Sequence, residues 1–428
     1  MSCEERCQAI TKTRGPREWH GTLACALAAS LLVLLLPGPA TAQQWLFTPE
    51  IEIGAHHVDN PRLAEQAETD AITGGLVDAG LAMRRNTQTS SVLLRPRAVV
   101  YRYTDAPDED SEAYFLDFNA QTETQRSTWG IRANYRQQQV FRGETTSAEF
   151  GDGGLDDGIG IDDDVQTGTG RTFTRRQRDL WRVNPHATME LTQVTSLRVD
   201  LSYLDVQYDT EELGEATDYN NSQVEAALVH ALSRHSDLSA SVFAARYDPT
   251  SAERQTDSAG ARVRYEQSIS DISSFFVDVG VQESRAESAA DPDFDISKTS
   301  FLWNLGLDRQ LEVTRWRFEL GRRVTPSGSG SLVERDLVRA VMDHQFQPRW
   351  SLQLAAVAMQ TNAVAEDISE NDRDYLQGRA TLAWQWTRSW TVEGRYSLTH
   401  QDFSDIPGDA QEHEIRLSFI YRPPLPTQ

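Results

Sequence analysis

The chain has 428 residues and a formal net charge of −23, with 64 acidic against 41 basic side chains. A surface this acidic excludes nucleic acid as a partner, because phosphate backbones are bound by basic patches. All three cysteines, Cys3, Cys7 and Cys25, fall within residues 1–42, so a chain trimmed of that segment holds no thiol for disulfides, nucleophilic catalysis or thiolate metal sites.

Residues 1–42 follow the plan of an export signal. Lys12, Arg14 and Arg17 precede an apolar run from Leu23 to Leu36, and Ala40, Thr41 and Ala42 follow as an A-x-A cleavage site. The expected mature N-terminus is Gln43, reached through the general secretory route. A membrane anchor is the competing reading. The run is 14 residues long, short of the about 18 to 20 that span a bilayer, and Pro37, Gly38 and Pro39 break it. Cys25 precedes most of the run, which argues against lipidation. The segment carries four basic and three acidic residues, so its loss takes the net charge to −24.

From Gln43 onward no stretch repeats its apolar residues at helical spacing for three turns. Side chains alternate instead. Phe301, Trp303, Leu305 and Leu307 share one face, while the mostly polar set Leu302, Asn304, Gly306 and Asp308 lies on the other. Trp316, Phe318 and Leu320 oppose Arg315, Arg317 and Glu319 on the return strand, which makes an antiparallel hairpin. Leu376, Ala380, Leu382, Trp384 and Trp386 form the next apolar face, continued by Trp390, Val392, Tyr396 and Leu398. The last strand sets Ile415, Leu417, Phe419 and Tyr421 against Glu414, Arg416 and Ser418.

Tight polar links fall near residues 87, 126, 193, 234, 270, 313, 348 and 388. They alternate without a skip with longer connections at 58–74, 105–112, 143–172, 210–219, 248–257, 284–298, 325–333, 361–373 and 402–411. Short turns at one end and long loops at the other mark a transmembrane antiparallel up-and-down β-barrel of about 16 to 18 strands, occupying residues 43–428. Runs of ten to fifteen residues exceed the about nine to eleven that a tilted strand needs to cross a bilayer. Closure leaves no unpaired sheet edge in lipid. The polar average fits, because only every second residue of a barrel strand meets lipid.

Trp45, Trp129, Trp316, Trp350, Trp386 and Trp390 all fall beside the short-turn end, where an aromatic girdle is expected at the membrane interface. Outer-membrane lipid, lipopolysaccharide and the barrel-assembly machinery are the partners this placement implies. Only Lys12 and Lys298 are lysines. The arginine bias suits forked pairing with carboxylates on one sheet face, and a GC-rich genome produces the same bias.

The connection 143–172 carries Glu144, Glu149, Asp152, Asp156, Asp157, Asp162, Asp163 and Asp164. Two readings stand for it: a solvated excursion, or a loop folded into the channel against Arg171, Arg175, Arg176, Arg178 and Arg182. Glu149, Phe150 and Gly151 resemble a Glu-Phe-Gly stretch in the third loop of general porins, a resemblance that implies the channel position. Calcium is disfavoured, since neither the EF-hand spacing nor a repeated Gly-Gly-x-Gly-x-Asp unit is present. No metal or cofactor site is predicted. His56, His57 and Asp59 lie together near the outer end of the first strand, a pattern that can activate water or serine. No further motif joins them, and an enzyme is not expected.

"PEIEIGAHHVDNPRL", residues 49–63, is similar to the first strand and loop of uncharacterised proteobacterial outer-membrane β-barrel proteins of the β-barrel porin type. The motif positions are Asp59, Asn60, Pro61, Arg62 and Leu63. Some of those proteins are linked to exopolysaccharide production and export. The resemblance implies a barrel in a Gram-negative outer membrane. The expected function is passive diffusion of small hydrophilic solutes or a saccharide, with Arg315, Arg317, Arg379, Arg395, Glu319 and Glu393 setting the lumen charge. The rival expectations are an accessory component of exopolysaccharide export and a non-conducting structural or adhesive barrel.

Overall fold

In the computed structural model, alternation of side chains translates into 18 strands whose apolar positions mostly face outward. The described residues are 45–61, 71–140, 176–209, 217–250, 254–288, 295–328, 330–364, 372–403 and 409–424. The strands are β1 (Leu46–Val58), β2 (Ile72–Asn86), β3 (Ser90–Tyr103), β4 (Ser111–Glu123), β5 (Ser127–Val140), β6 (Arg176–Glu190), β7 (Thr195–Tyr208), β8 (Tyr219–Ser233) and β9 (Ser236–Pro249). They continue as β10 (Arg254–Ser270), β11 (Ser273–Ser288), β12 (Asp295–Gln310), β13 (Thr314–Pro326), β14 (Leu332–Gln347), β15 (Trp350–Ala363), β16 (Arg373–Gln385), β17 (Trp390–Phe403) and β18 (Asp409–Tyr421). A single 3-10 turn, Pro107–Glu109, interrupts the β3–β4 connection, and among the described residues no helix is long and apolar enough to cross a membrane.

Every strand pairs antiparallel with its sequence neighbours, and β18 closes on β1 from Ile51 opposite Tyr421 to Val58 opposite Glu414. The sheet is therefore an up-and-down barrel with no free edge at the seam. Side chains lock the seam on the inner face. Ser418 donates to Glu52 at 2.5 Å, and Arg422 donates to Glu50 at 2.8 Å.

Three of the short turns start on a hydroxyl that accepts from the backbone. Thr87 Oγ1 accepts from the Ser90 amide at 2.7 Å, Thr124 Oγ1 from Ser127 at 3.0 Å, and Thr387 Oγ1 from Trp390 at 3.1 Å. Each side chain stands in for a backbone turn bond and stops the strand. All eight predicted links fall at or beside the short turns between strands, and the long connections occupy the other end.

The outer face carries an apolar band on every strand. On β9, Leu238, Val242 and Ala244 point out, while Ser239, Ser241 and Phe243 point in. On β18 the outward set is Ile415, Leu417 and Phe419, all exposed, and the inward set includes Glu414, Arg416 and Ser418. Beyond the band at the long-loop end, the outward residues become charged: Arg246 pairs with Asp257 at 2.7 Å, and Arg322 with Asp336 at 2.6 Å.

The β12–β13 ladder stops short at the long-loop end. β13 pairs with β14 up to Pro326 opposite Leu332, but it pairs with β12 only from Gln310 opposite Arg315 up to Trp303 opposite Arg322. Above that level the wall splits, and the β13 edge rolls inward.

Candidate functional site: the lumen

Inward positions come from every second residue of each strand, so the lumen is polar by the same alternation that makes the exterior apolar. Arginine–carboxylate pairs run over its wall. Arg97 grips Asp78 with a fork, Nε to Oδ1 at 2.9 Å and Nη2 to Oδ2 at 2.5 Å. Arg262 reaches across β9 to Glu225 at 2.5 Å, Arg395 holds Glu393 at 2.9 Å, and Arg416 holds Glu414 at 2.9 Å. Arg317 meets Asp343 at 3.1 Å, and Arg315 meets Asp308 at 2.8 Å. Such pairs each contribute about 0.2–1 kcal/mol and fix the register of neighbouring strands.

Arg262 and Arg264, on the inner face of β10, rest on aromatic floors. The Arg264 guanidinium lies 4.1 Å from the Phe276 ring centre, and Arg262 lies 4.8 Å from that of Phe243. The rings lie flat against the wall because glycine stands beside each. A Cβ on Gly306 would come within 2.1 Å of Phe276, and one on Gly260 within 2.4 Å of Phe243. Cation–ring contact holds the guanidinium plane, leaving its edge for hydrogen bonds.

The inward roll at the split places a second layer inside the long-loop mouth. Lys298 and Ser300 point inward from β12, yet they meet Glu334 on the outward-turned face of β14, at 3.5 and 2.5 Å. The β13–β14 tip continues across the inner face of β8–β12. Tyr247 of β9 donates to the Ser327 carbonyl at 2.6 Å, and the Thr217 amide donates to the Gly328 carbonyl at 2.7 Å. Leu332 then joins a buried cluster with Leu180, Leu204, Val206, Tyr219 and Tyr247. Burying a leucine this way stabilises the seat by about 1.5–3 kcal/mol, more than any one of its hydrogen bonds at about 0.5–1.5 kcal/mol.

The predicted site residues separate into groups. Glu149, Asp152, Asp156, Asp157, Asp162, Asp163, Asp164 and Arg175 lie outside the described residues, as do residues 1–42, expected to be an export signal, and any calcium position on loop 143–172. Arg178 faces inward from β6 and is buried, beside Leu180. Arg315 and Arg317 face inward near the short-turn end of β13, and Arg379 and Arg395 face inward on β16 and β17.

The six girdle tryptophans all stand at the short-turn end. Trp45 precedes β1, Trp129 is 55% exposed on the outer face, and Trp386 sits in the β16–β17 link instead of the strand face expected for it. Trp316 stacks on Phe318 at 5.8 Å, Trp350 on Trp384 at 5.6 Å, and Trp390 leans on Tyr421 at 5.1 Å.

His56 and His57 are not brought together. His56 points inward against Tyr101 and Tyr103, at 5.3 and 5.1 Å, whereas His57 points outward to Thr73 Oγ1 at 2.8 Å. Asp59 accepts from the His413 amide at 2.7 Å. Among the described residues no three His, Cys, Asp or Glu side chains are grouped as metal ligands.

The split wall and the seated tip were not foreseen from sequence. A signal for them exists in β7, where inward Leu204, Val206 and Tyr208 are apolar as well as outward Leu201 and Tyr203. Apolar residues on both faces of a barrel strand mean that something packs inside.

Fold and lumen together define the class: an 18-stranded, closed antiparallel up-and-down β-barrel with an apolar exterior and a polar inner wall. No family model matches the chain, and no curated protein matches it. Several solved structures are similar. OccK2 (OpdF) of Pseudomonas aeruginosa is 8% identical, covering 88% of this chain and 98% of that one, with a TM-score of 0.45. OpdQ of the same organism is 10% identical, covering 89% and 98%, with a TM-score of 0.43. The FrpB iron transporter of Neisseria meningitidis is 8% identical, covering 92% and 83%, with a TM-score of 0.45. At such identities the likeness concerns the fold alone.

Proposed function

We propose that the chain is a porin-like channel of a Gram-negative outer membrane, through which small hydrophilic solutes or saccharides diffuse passively. In this reading, residues 1–42 direct export and are removed, the assembly machinery inserts the barrel, and the long loops face the lipopolysaccharide side. The single observation that carries it is the inner face: charged and hydroxyl side chains line the wall of an 18-stranded barrel whose exterior is apolar. Barrels of about eight strands are filled by their own side chains, while about 16 to 18 strands enclose an aqueous channel. The arginine-rich wall of β14–β18, with Arg339, Arg379, Arg395 and Arg416, supplies donors for carboxylate, phosphate or sugar hydroxyl groups.

Single-channel recording of the refolded protein in planar bilayers tests this. Stepwise conductance at fixed voltage is expected. A barrel that inserts, with heat-modifiable migration on a gel, and passes no current would overturn it. One observation favours a second reading, the non-conducting structural barrel: the buried apolar cluster at the mouth narrows the opening. The same recording separates the two.

A further inference from the structure

Above Trp303 and Arg322, two strand edges are left without each other. Among the described residues, β12 from Asp295 to Leu302 has register partners on β11 from Glu287 to Gly280 and none on β13. β13 from Arg323 to Pro326 has register partners on β14 and none on β12. A free edge of this kind is a template waiting for a strand.

The strand it fits is already adjacent. Continuing the intact ladder one residue at a time sets Leu302 opposite Arg323, Phe301 opposite Val324 and Thr299 opposite Pro326. Alternation would then turn Val324, Glu334 and Leu332 outward above the Arg322–Asp336 pair, with Val324 beside Phe301, and Arg323 and Arg335 inward, extending the arginine wall. Pro326 has no N–H to donate, so the extended ladder ends there and gains only a few bonds.

Against those bonds stand the contacts of the rolled-in position. They are the Glu334 contacts with Ser300 and Lys298, the Tyr247 bond to the Ser327 carbonyl, the Thr217 bond to the Gly328 carbonyl, and the burial of Leu332. Part of this seat is hydroxyl-lined, with Ser258 and Ser284 bonded to one another at 3.0 Å beneath the tip, and water would satisfy it when the tip leaves. The same residues thus have two packings with compensating contacts, the property of a bistable element.

We propose that the β13–β14 hairpin is a two-position gate: seated across β8–β12 it narrows the long-loop mouth, and zipped onto the free edge of β12 it widens it. The inference deepens the channel reading and rests on it for its consequence, although the motion itself does not depend on conduction.

Paired cysteines test it in the full chain with Cys3, Cys7 and Cys25 replaced by serine. Ser300→Cys with Glu334→Cys locks the seated position, and Phe301→Cys with Val324→Cys locks the zipped one. Leu305→Cys with Leu320→Cys, partners in the intact ladder, sets the yield of true neighbours. Peptide mass spectrometry reads the cross-links after oxidation, and bilayer recording reads conductance. Both locks are expected to close, the zipped pair at no less than about a tenth of the neighbour yield, as for a minor but populated state. The seated lock should hold a low conductance level and the zipped lock a higher one, with reductant restoring transitions between them. A zipped pair that stays open while the seated pair closes fully overturns the gate, as do two locks that conduct alike. If both pairs close and no form conducts, the gate motion stands and the channel reading falls.

Discussion

Ser300 on β12 donates to Glu334 on β14 at 2.5 Å, although β13 lies between those two strands along the lower wall. The contact exists only because β13 leaves β12 above Trp303 and carries the tip of β14 inside. The mouth of the barrel is therefore shaped by a broken ladder and not only by the long loops.

Tyr247→Phe removes the donor to the Ser327 carbonyl without changing the ring in its cluster. The tip should unseat more often by about two- to tenfold, corresponding to about 0.5–1.5 kcal/mol. Limited proteolysis at residues 327–331 of the detergent-solubilised barrel measures this, with unchanged cleavage counting against the seat.

Leu332→Ala should cost more, about 2–5 kcal/mol of seating, because a fully enclosed cluster loses its tip anchor and a cavity remains. The expected readout is faster cleavage of the tip than in Tyr247→Phe, with the barrel still heat-modifiable on a gel.

Gly306→Val tests the flat floor under Arg264. A Cβ there meets the Phe276 ring at 2.1 Å, so Phe276 must lift and Arg264 loses its platform. A loss of about 1–3 kcal/mol in urea refolding is expected. A neutral substitution would mean that the ring does not lie where the wall geometry places it.

Arg379→Glu combined with Arg395→Glu inverts charge on one stretch of the inner wall. The reversal potential in a salt gradient should shift toward cation preference, by about twofold or more in permeability ratio. An unchanged potential would remove these arginines from the conducting path.

How far the sequence discloses this molecule depends on what each feature needs. The strand plan is legible because alternation and hydroxyl turn starts, such as Thr87, Thr124 and Thr387, are local. Side-chain partners in the lumen are not local. Glu225 reaches Arg262 across β9 because the small Ser241 is the register partner of Arg262, a fact of pairing that no single strand contains. His56 and His57 looked like one constellation because they adjoin in sequence, and alternation sends them to opposite faces. The split between β12 and β13 was hidden because the tip, rich in Gly and Ser around Ser327 and Gly330, reads as an ordinary long connection. Only the apolar inner residues of β7 betray it, and their meaning needs the partner that rolls onto them.

The account stands or falls on which side of the wall is lipid. The most direct measurement compares Leu201→Arg with Ser202→Arg, neighbours on β7 that face outward and inward, by equilibrium folding into lipid bilayers. The outward arginine should destabilise the barrel by about 2–4 kcal/mol, and the inward one by under about 1 kcal/mol. Equal costs at the two positions, with a protein that stays monodisperse in buffer without detergent, would contradict a membrane-spanning barrel.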